Sequence, residues 1–176
     1  YDDIQSVVSK TLAEFGKIDI LVNNAQVDFT KSFLEVSNEE WKNIMSYNID
    51  SVFMFSKAVG EHMVANNYGR IININSIAAV RGMWDSAPLC ASRGAVSQLT
   101  ASLGLEWAEF GVRVNGIGAG WITTSSSDST DILDRYLPSR HKGHPTDLCG
   151  LLVYLASESC DFVTGTTVNI DGGALA

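Results

Sequence analysis

The sequence predicts an α/β fold in which helices cover a parallel β-sheet. Short apolar, β-branched runs alternate with stretches of helical period along all 176 residues, and this alternation is typical of βαβ units. The runs are apolar on both faces, as expected of strands buried in a parallel sheet. No linker or internal repeat interrupts the pattern, so residues 1–176 are expected to form a single domain.

The first predicted elements are a helix, a strand and a long helix. Apolar residues recur at helical spacing over 3–15, and the apolar run 18–22 predicts the first strand. Ser37 and Glu40 have the spacing of a capping box, so a long helix is expected over 38–66.

The second half of the sequence repeats the alternation of strand and helix. The Ser- and Asp-rich stretch 123–131 is expected to be a loop. Strands are predicted at 70–75, 112–117 and 166–170, and helices at 92–109 and 146–156.

The charge and composition exclude several classes of partner. The net charge is −8 and the isoelectric point about 4.7, which argues against nucleic acid and anionic membranes because both require basic patches. No apolar run reaches the roughly 18 residues of a membrane span. The three cysteines have no CxxC spacing, so we expect no disulfide framework, no metal site and a reducing, cytoplasmic setting.

Candidate functional residues are sought where strands end, because parallel sheets place their sites at the carboxyl ends of the strands. Three segments follow predicted strands: "NNAQ" at 23–26, "NSIAA" at 75–79 and "GAGWITT" at 118–124. Each contains small or polar residues directly after a buried run, so we expect these segments to meet at one edge of the sheet.

These segments resemble motifs of the short-chain dehydrogenase/reductase family. "DILVNNAQ", "YNIDSVF", "IININSIAA", "ASRGAVSQLTASLGLEWAEFGVRVNGIGAGWITT" and "FVTGTTVNIDGG" are similar to family motifs in the correct order, and the likeness covers essentially the whole chain. It looks closest to the 3-oxoacyl-thioester reductase and glucose-dehydrogenase-like members. The resemblance implies a Rossmann-like, doubly wound parallel sheet and hydride transfer between NAD or NADP and a carbonyl or an alcohol.

The resemblance also implies roles for particular positions. In the family a Ser and a Tyr polarise the carbonyl, a Lys lowers the pKa of the Tyr and holds the nicotinamide ribose, and an Asn keeps a water relay in place. The matching positions are Asn48, Ser76, Leu89 (the Tyr position) and Arg93 (the Lys position), and Asn24, Ala25, Arg93 and Ile122 would lie beside the cofactor.

Three positions, Leu89, Arg93 and Gln26, depart from the family pattern. Leu89 cannot donate a proton, and loss of a general acid typically lowers the rate by about 10²–10⁴-fold. Arg93 is planar and remains protonated, so it cannot replace that acid; it would form a salt bridge or contact the cofactor. Gln26 replaces a glycine, which implies either a strained backbone or a side chain in the nicotinamide space.

Tyr47 precedes Asn48 on a helix and is expected to point about 100° away from it. Tyr136, in the loop that covers substrate in the family, is the remaining candidate for a replacement acid, and the alternative is a tyrosine that only packs its ring.

The Gly-rich turn that binds the cofactor pyrophosphate in the family is not in this sequence. It would lie roughly 60 residues further upstream, about two βα units before Tyr1. We therefore expect an N-terminally incomplete chain that lacks the first βα units and binds NAD or NADP weakly or not at all by itself. The strand 18–22 would then have one open, apolar edge.

Three functional interpretations follow from these patterns, the third being a truncated or pseudogene-like product with no selected function. The first is an oxidoreductase by descent whose proton-transfer residues are damaged. The second is a non-catalytic subunit that assembles with an active paralogue. We expect homo- or hetero-oligomers to form through the helices 38–66 and 92–109 and the C-terminal strand 166–170. The two helices carry large apolar residues beyond one core stripe, and the resemblance implies that they form the family's four-helix dimer interface.

Overall fold

The computed structural model describes residues 2–124 and 135–176, and within them the chain forms one parallel sheet. The predicted loop 123–131 lies mostly outside the described residues. Neighbouring strands pair in sequence order, β1-β2-β3-β4. The strands are β1 (Ile20–Asn23), β2 (Gly69–Ser76), β3 (Val112–Ala119) and β4 (Thr167–Ile170).

Helices cover both faces of this sheet, as the doubly wound arrangement requires. On one face, α1, α3 and α4 pack against β2 and β3 around Met63 and Ile71. On the other, α5 packs against the same strands around Ile72 and Leu155. The helices are α1 (Asp2–Phe15), α2 (Asn38–Met45), α3 (Ser51–Ala65), α4 (Ala87–Glu106) and α5 (Pro145–Ala156).

The predicted helix 38–66 is divided in the structure. Its start is confirmed: the Ser37 hydroxyl accepts from the Glu40 N–H at 3.1 Å, and the Glu40 carboxylate accepts from the Ser37 N–H at 2.8 Å. A π-helical turn, Ser46–Asp50, then separates α2 from α3. Single π turns inside helices frequently occur at functional sites, and this one contains Asn48.

Helix α4 begins five residues earlier than predicted and ends three residues earlier. Ser86 precedes its first turn and Pro88 lies within that turn, where its missing N–H needs no partner. Leu89 and Arg93 therefore lie one helical turn apart on the same helix. Both are buried.

Strand β1 forms an edge of the sheet among the described residues. It pairs with β2 from Ile20 to Asn23, and its other side carries no strand partner in the part of the chain that the structure describes. The side chains of Ile20 and Val22 are exposed. The expected open, apolar edge is thus present in this structure.

Candidate active site

A cavity of about 350 Å³ opens at the carboxyl ends of β2 and β3. The structure brings four of the predicted site residues together in its wall: Ser76, Leu89, Arg93 and Ile122. Ser76 ends β2, Leu89 and Arg93 project from α4, and Ile122 follows β3. The other lining residues are Gln26, Asp28, Thr30, Asn75, Ile77, Met83, Ser86, Ala119, Gly120 and Trp121.

Ser76 is held at the cavity by hydrogen bonds on both sides. Its hydroxyl oxygen accepts from the Ala78 N–H at 3.2 Å and caps a short 3₁₀ turn. Its own N–H donates to Asn75 Oδ1 at 2.9 Å. Because the oxygen is used as an acceptor, the hydroxyl proton remains available to a group in the cavity.

Leu89 places an apolar side chain at the position where the resemblance implies a tyrosine. It is buried in the cavity wall. No tyrosine of the described residues lines this cavity. Tyr47 is 61% exposed, and Tyr136 is 80% exposed and lines a separate hollow with Val80 and Arg81. Neither tyrosine is therefore placed to replace the missing acid in this structure.

Arg93 is a buried cation, and two of its side-chain nitrogen atoms have no hydrogen-bond partner in the protein. The residue is 2% exposed, and its Nε and Nη2 atoms are buried without a hydrogen bond. No carboxylate of residues 2–124 or 135–176 lies within ion-pair distance of it, so the expected salt bridge is wrong for this structure. Burial lowers the pKa of the guanidinium, and the nearby Asp28 carboxylate acts in the opposite direction.

Asn48 lies behind the cavity and does not line it. Its side chain is fully buried in the π-helical turn. The Oδ1 atom accepts from the Val27 N–H at 2.9 Å, while Nδ2 donates to the Val27 carbonyl at 3.0 Å and to Ser92 Oγ at 3.2 Å. Asn48 therefore fixes the segment after β1 against α4. Its predicted part in a water relay stays a prediction.

The residues after β1 differ in their relation to the cavity. Asn24 and Ala25 are exposed and do not line it, whereas Gln26 does. Gln26 is not among the residues with positive φ. Replacement of the family's glycine was expected to have one of two consequences. A strained backbone is wrong, and the structure shows the other, a residue that lines the cavity.

Sequence reasoning missed Asn75, which connects the two main walls of the site. Its Oδ1 accepts from Ser76, and its Nδ2 donates to the Arg93 carbonyl at 3.1 Å, so one buried amide joins β2 to α4. A polar residue in a buried strand needs hydrogen-bond partners, and this requirement could have indicated the role of Asn75 from the sequence. Asp28 gave no comparable signal, because nothing in its sequence position indicates that it approaches Arg93.

Other classes of site find no support in the described residues. All three cysteines are free thiols. Within residues 2–124 and 135–176, no cluster of His, Cys, Asp or Glu could hold a metal ion. A search of the same residues finds no helix with the length and hydropathy of a membrane span.

Comparison with known proteins identifies the family. The family model described as Enoyl-(Acyl carrier protein) reductase matches residues 1–174. The chain is 39% identical to a 2-dehydro-3-deoxy-D-gluconate 5-dehydrogenase of Escherichia coli K12, over 99% of this chain and 72% of that protein. A 3-oxoacyl-[acyl-carrier-protein] reductase of Synechocystis is 32% identical over 98% of this chain and 71% of that protein.

Solved structures agree with this assignment. A gluconate 5-dehydrogenase from Burkholderia cenocepacia, determined in complex with NADP and tartrate, superposes with a TM-score of 0.92 at 34% identity. That match covers 98% of this chain and 70% of the other. The chain belongs to the short-chain dehydrogenase/reductase family, a class of NAD(P)-dependent oxidoreductases with a Rossmann-like fold.

The cavity fits one part of a nicotinamide dinucleotide. Arg93 offers two buried donors without partners, and Ile122 supplies an apolar wall, so hydroxyl groups of a ribose and the face of a ring could be held here. Gln26 also lines this cavity. The described residues contain no Gly-rich turn at a helix N-terminus for the pyrophosphate. When bound, such a cofactor supplies or accepts the hydride.

Proposed function

We propose that this chain carries the part of a dehydrogenase/reductase site that binds the substrate carbonyl, and that proton transfer at this site is disabled. Ser76 retains a hydroxyl that can polarise a carbonyl, and Arg93 retains a positive charge. The observation that carries the proposal is the buried Leu89 side chain in the cavity wall, with no tyrosine of the described residues beside it. An alkyl group cannot protonate an alkoxide, so hydride transfer would not be completed at a useful rate.

The substrate class follows the relatives. Several act on gluconate derivatives by name, among them a 5-keto-D-gluconate 5-reductase of Escherichia coli K12 that is 35% identical to this chain. We take a keto sugar acid as the test substrate. The cytoplasm is the proposed compartment, because three free thiols suit a reducing setting.

The experiment is steady-state oxidation of NADPH and of NADH by the purified chain with 5-keto-gluconate. The expected result is a rate at least about 10²-fold below that of the Escherichia coli 5-keto-D-gluconate 5-reductase measured in parallel. The double change Leu89→Tyr and Arg93→Lys restores the family pair and should raise the rate. A wild-type rate equal to that of the relative would contradict the proposal.

A second candidate function, a non-catalytic subunit, is favoured by an apolar groove between α3 and α4. The groove has a volume of about 440 Å³ and is lined by Phe53, Gly60, Leu99, Leu103 and Trp107 among others. The Phe53 side chain is half exposed. An apolar surface of this kind suits another copy of the chain or an active paralogue.

The assembly proposal is tested by light scattering after size-exclusion chromatography. Phe53→Glu places a charge in the groove and should shift any dimer or tetramer to the monomer, whereas Leu34→Glu, at an exposed position outside it, should not. Loss of assembly in both variants, or in neither, would count against this groove as the interface.

A further inference from the structure

A carboxylate lines the cavity at the carboxyl ends of β2 and β3 and has no bonded partner in the described chain. Asp28 is exposed, and no hydrogen bond or ion pair within residues 2–124 and 135–176 involves its carboxylate. The other side chains that line the cavity are apolar, neutral and polar or, in Arg93, cationic. Asp28 is therefore the one lining side chain among the described residues that can accept a proton at neutral pH.

Alternate residues of the segment after β1 line the cavity. Gln26, Asp28 and Thr30 line it and are exposed, whereas Val27 and Phe29 between them are half-buried. This alternation is typical of an extended chain, in which residues two apart point to the same side. The Asp28 side chain therefore lies on the cavity side of the segment.

The segment is fixed on both sides of Asp28. Before it, the N–H and the carbonyl of Val27 are both bonded to the Asn48 side chain, at 2.9 and 3.0 Å. After it, the Lys31 N–H donates to the Asp85 carbonyl at 2.6 Å. Catalytic groups need a backbone that is held in place, and these two anchors meet that requirement for Asp28.

The cavity combines this base with a hydroxyl donor and a positive charge. The Ser76 oxygen accepts from the Ala78 N–H, which leaves the hydroxyl proton for a group in the cavity. Burial lowers the pKa of the Arg93 guanidinium and the Asp28 carboxylate raises it, so the two charges lie near each other.

These three groups match the needs of one reaction, loss of a proton from the carbon next to a carbonyl. The negative charge of the product moves to the carbonyl oxygen, where a hydroxyl donor and a nearby cation stabilise it. Elsewhere, an aspartate is the base for such protons in an enzyme that holds the enolate oxygen with hydroxyl donors.

We propose that this cavity removes a proton from the carbon next to a ketone, with Asp28 as the base and the Ser76 hydroxyl as the donor to the ketone oxygen. The C–H bond breaks, its electron pair forms the carbon–carbon double bond of the enolate, and the proton moves to the Asp28 carboxylate. Return of a proton to the same carbon completes a cycle in which nothing is oxidised or reduced. The inference rests on the carbonyl-binding Ser76 of the proposed function, but it needs no cofactor.

The substrate class that suits the cavity is a small α-hydroxy ketone. Its volume of about 350 Å³ is at the lower end of the roughly 300–1,000 Å³ typical of small-molecule sites. Leu89 and Ile122 provide apolar walls, while Gln26 and Thr30 provide polar groups for a hydroxyl. The tyrosine of the family gives a proton to an alkoxide oxygen, which a carboxylate without a proton cannot do. Asp28 therefore adds a reaction at carbon and does not replace the missing acid.

The test follows deuterium exchange into dihydroxyacetone, a small α-hydroxy ketone, by proton NMR in heavy water. The full chain is used without cofactor, and buffer without protein gives the background. The wild type should exchange the carbon-bound protons faster than the background. Asp28→Asn should lower this protein-dependent rate at least about 10²-fold, because the base is lost. Ser76→Ala should lower it at least about tenfold, because a donor to the developing negative charge is lost.

Asp3→Asn is the matched control, because it makes the same change of side chain on the exposed surface of α1 and should leave the exchange rate unchanged. Asp28 is exposed as well, so Asp28→Asn should fold like the wild type, and thermal unfolding of each variant checks this. Exchange at the background rate in the wild type, or an unchanged rate in Asp28→Asn or in Ser76→Ala, would overturn the proposal. Failure of the proposed function appears instead as fast turnover of NADPH, in an assay that this exchange measurement does not use.

Discussion

At the scale of single residues, the side chains at the positions that match the family motifs differ in their hydrogen bonding. Asn48 has three hydrogen bonds and Ser76 caps a turn, so both have a structural role independent of chemistry. Leu89 packs as an ordinary apolar residue, and Arg93 has two donors without partners. The changed pair therefore consists of one buried apolar residue and one buried cation with two unpartnered nitrogen atoms.

The role of Asn48 as a clamp predicts a large loss of stability on its removal. Asn48→Ala leaves the N–H and the carbonyl of Val27 without their partners, and each unsatisfied buried group costs about 1–3 kcal/mol. We expect the free energy of unfolding in urea to fall by about 2–4 kcal/mol. Asn24→Ala, at an exposed position, is the control and should change it by less than about 0.5 kcal/mol. Equal effects of the two changes would show that the clamp is unimportant.

The sequence predicted which residues meet at the cavity but not how each is bonded. Ser76, Leu89, Arg93 and Ile122 could be placed together because the carboxyl ends of parallel strands share one edge. The unpartnered donors of Arg93 and the role of Asn75 depend on distances of a few tenths of an ångström. Spacing in a sequence carries no such distances.

At the scale of elements, local capping signals were the most reliable guides. The capping box of α2 was readable because it depends on two residues three positions apart. The π-helical turn at Ser46–Asp50 has no such local signature, and the start of α4 was missed although Ser86 and Pro88 form a recognisable start signal.

The capping box predicts a pH-dependent contribution to stability. The Lys31 ammonium and the Ser37 N–H and hydroxyl lower the pKa of Glu40 from 4.5 to about 2. A lowered pKa stabilises the folded state above the ordinary value, and this contribution is lost as the pH falls towards 2. The difference in unfolding midpoint between wild type and Glu40→Gln should therefore shrink from pH 6 to pH 2.

Glu39→Gln is the control for this titration, because Glu39 lies in the same exposed turn and has no bond to Lys31. Its difference from the wild type should vary less over the same range. A Glu40→Gln difference that is constant between pH 6 and pH 2 would contradict the lowered pKa of Glu40.

Two glycines of α4 provide a matched test of its packing. A Cβ at Gly104 would collide with the backbone of Gly165, so Gly104→Ala should destabilise the protein by about 1–3 kcal/mol. A Cβ at Gly94 would meet only the Ala79 carbonyl oxygen at 3.7 Å, and Gly94→Ala should stabilise by about 0.5–1 kcal/mol through helix propensity. Thermal unfolding of both variants measures these effects, and the same sign for both would contradict the packing described.

At the scale of the whole molecule, the alternation of strands and helices determined the fold class correctly. The parallel pairing and the strand order β1-β2-β3-β4 agree with the family. The chain spans 70–72% of the length of the relatives compared above. Which partner covers the α3–α4 groove could not be predicted, because an apolar surface specifies burial but not the identity of what buries it.

At Leu89 we propose that the cavity lacks the tyrosine that serves as the acid in the family. The most direct measurement is NADPH oxidation with 5-keto-gluconate by the wild-type chain and by Leu89→Tyr, at the same cofactor concentration. We expect a wild-type rate at least about 10²-fold below that of the 5-keto-D-gluconate 5-reductase and a higher rate for the variant. Wild-type turnover at the rate of the intact 5-keto-D-gluconate 5-reductase would contradict it.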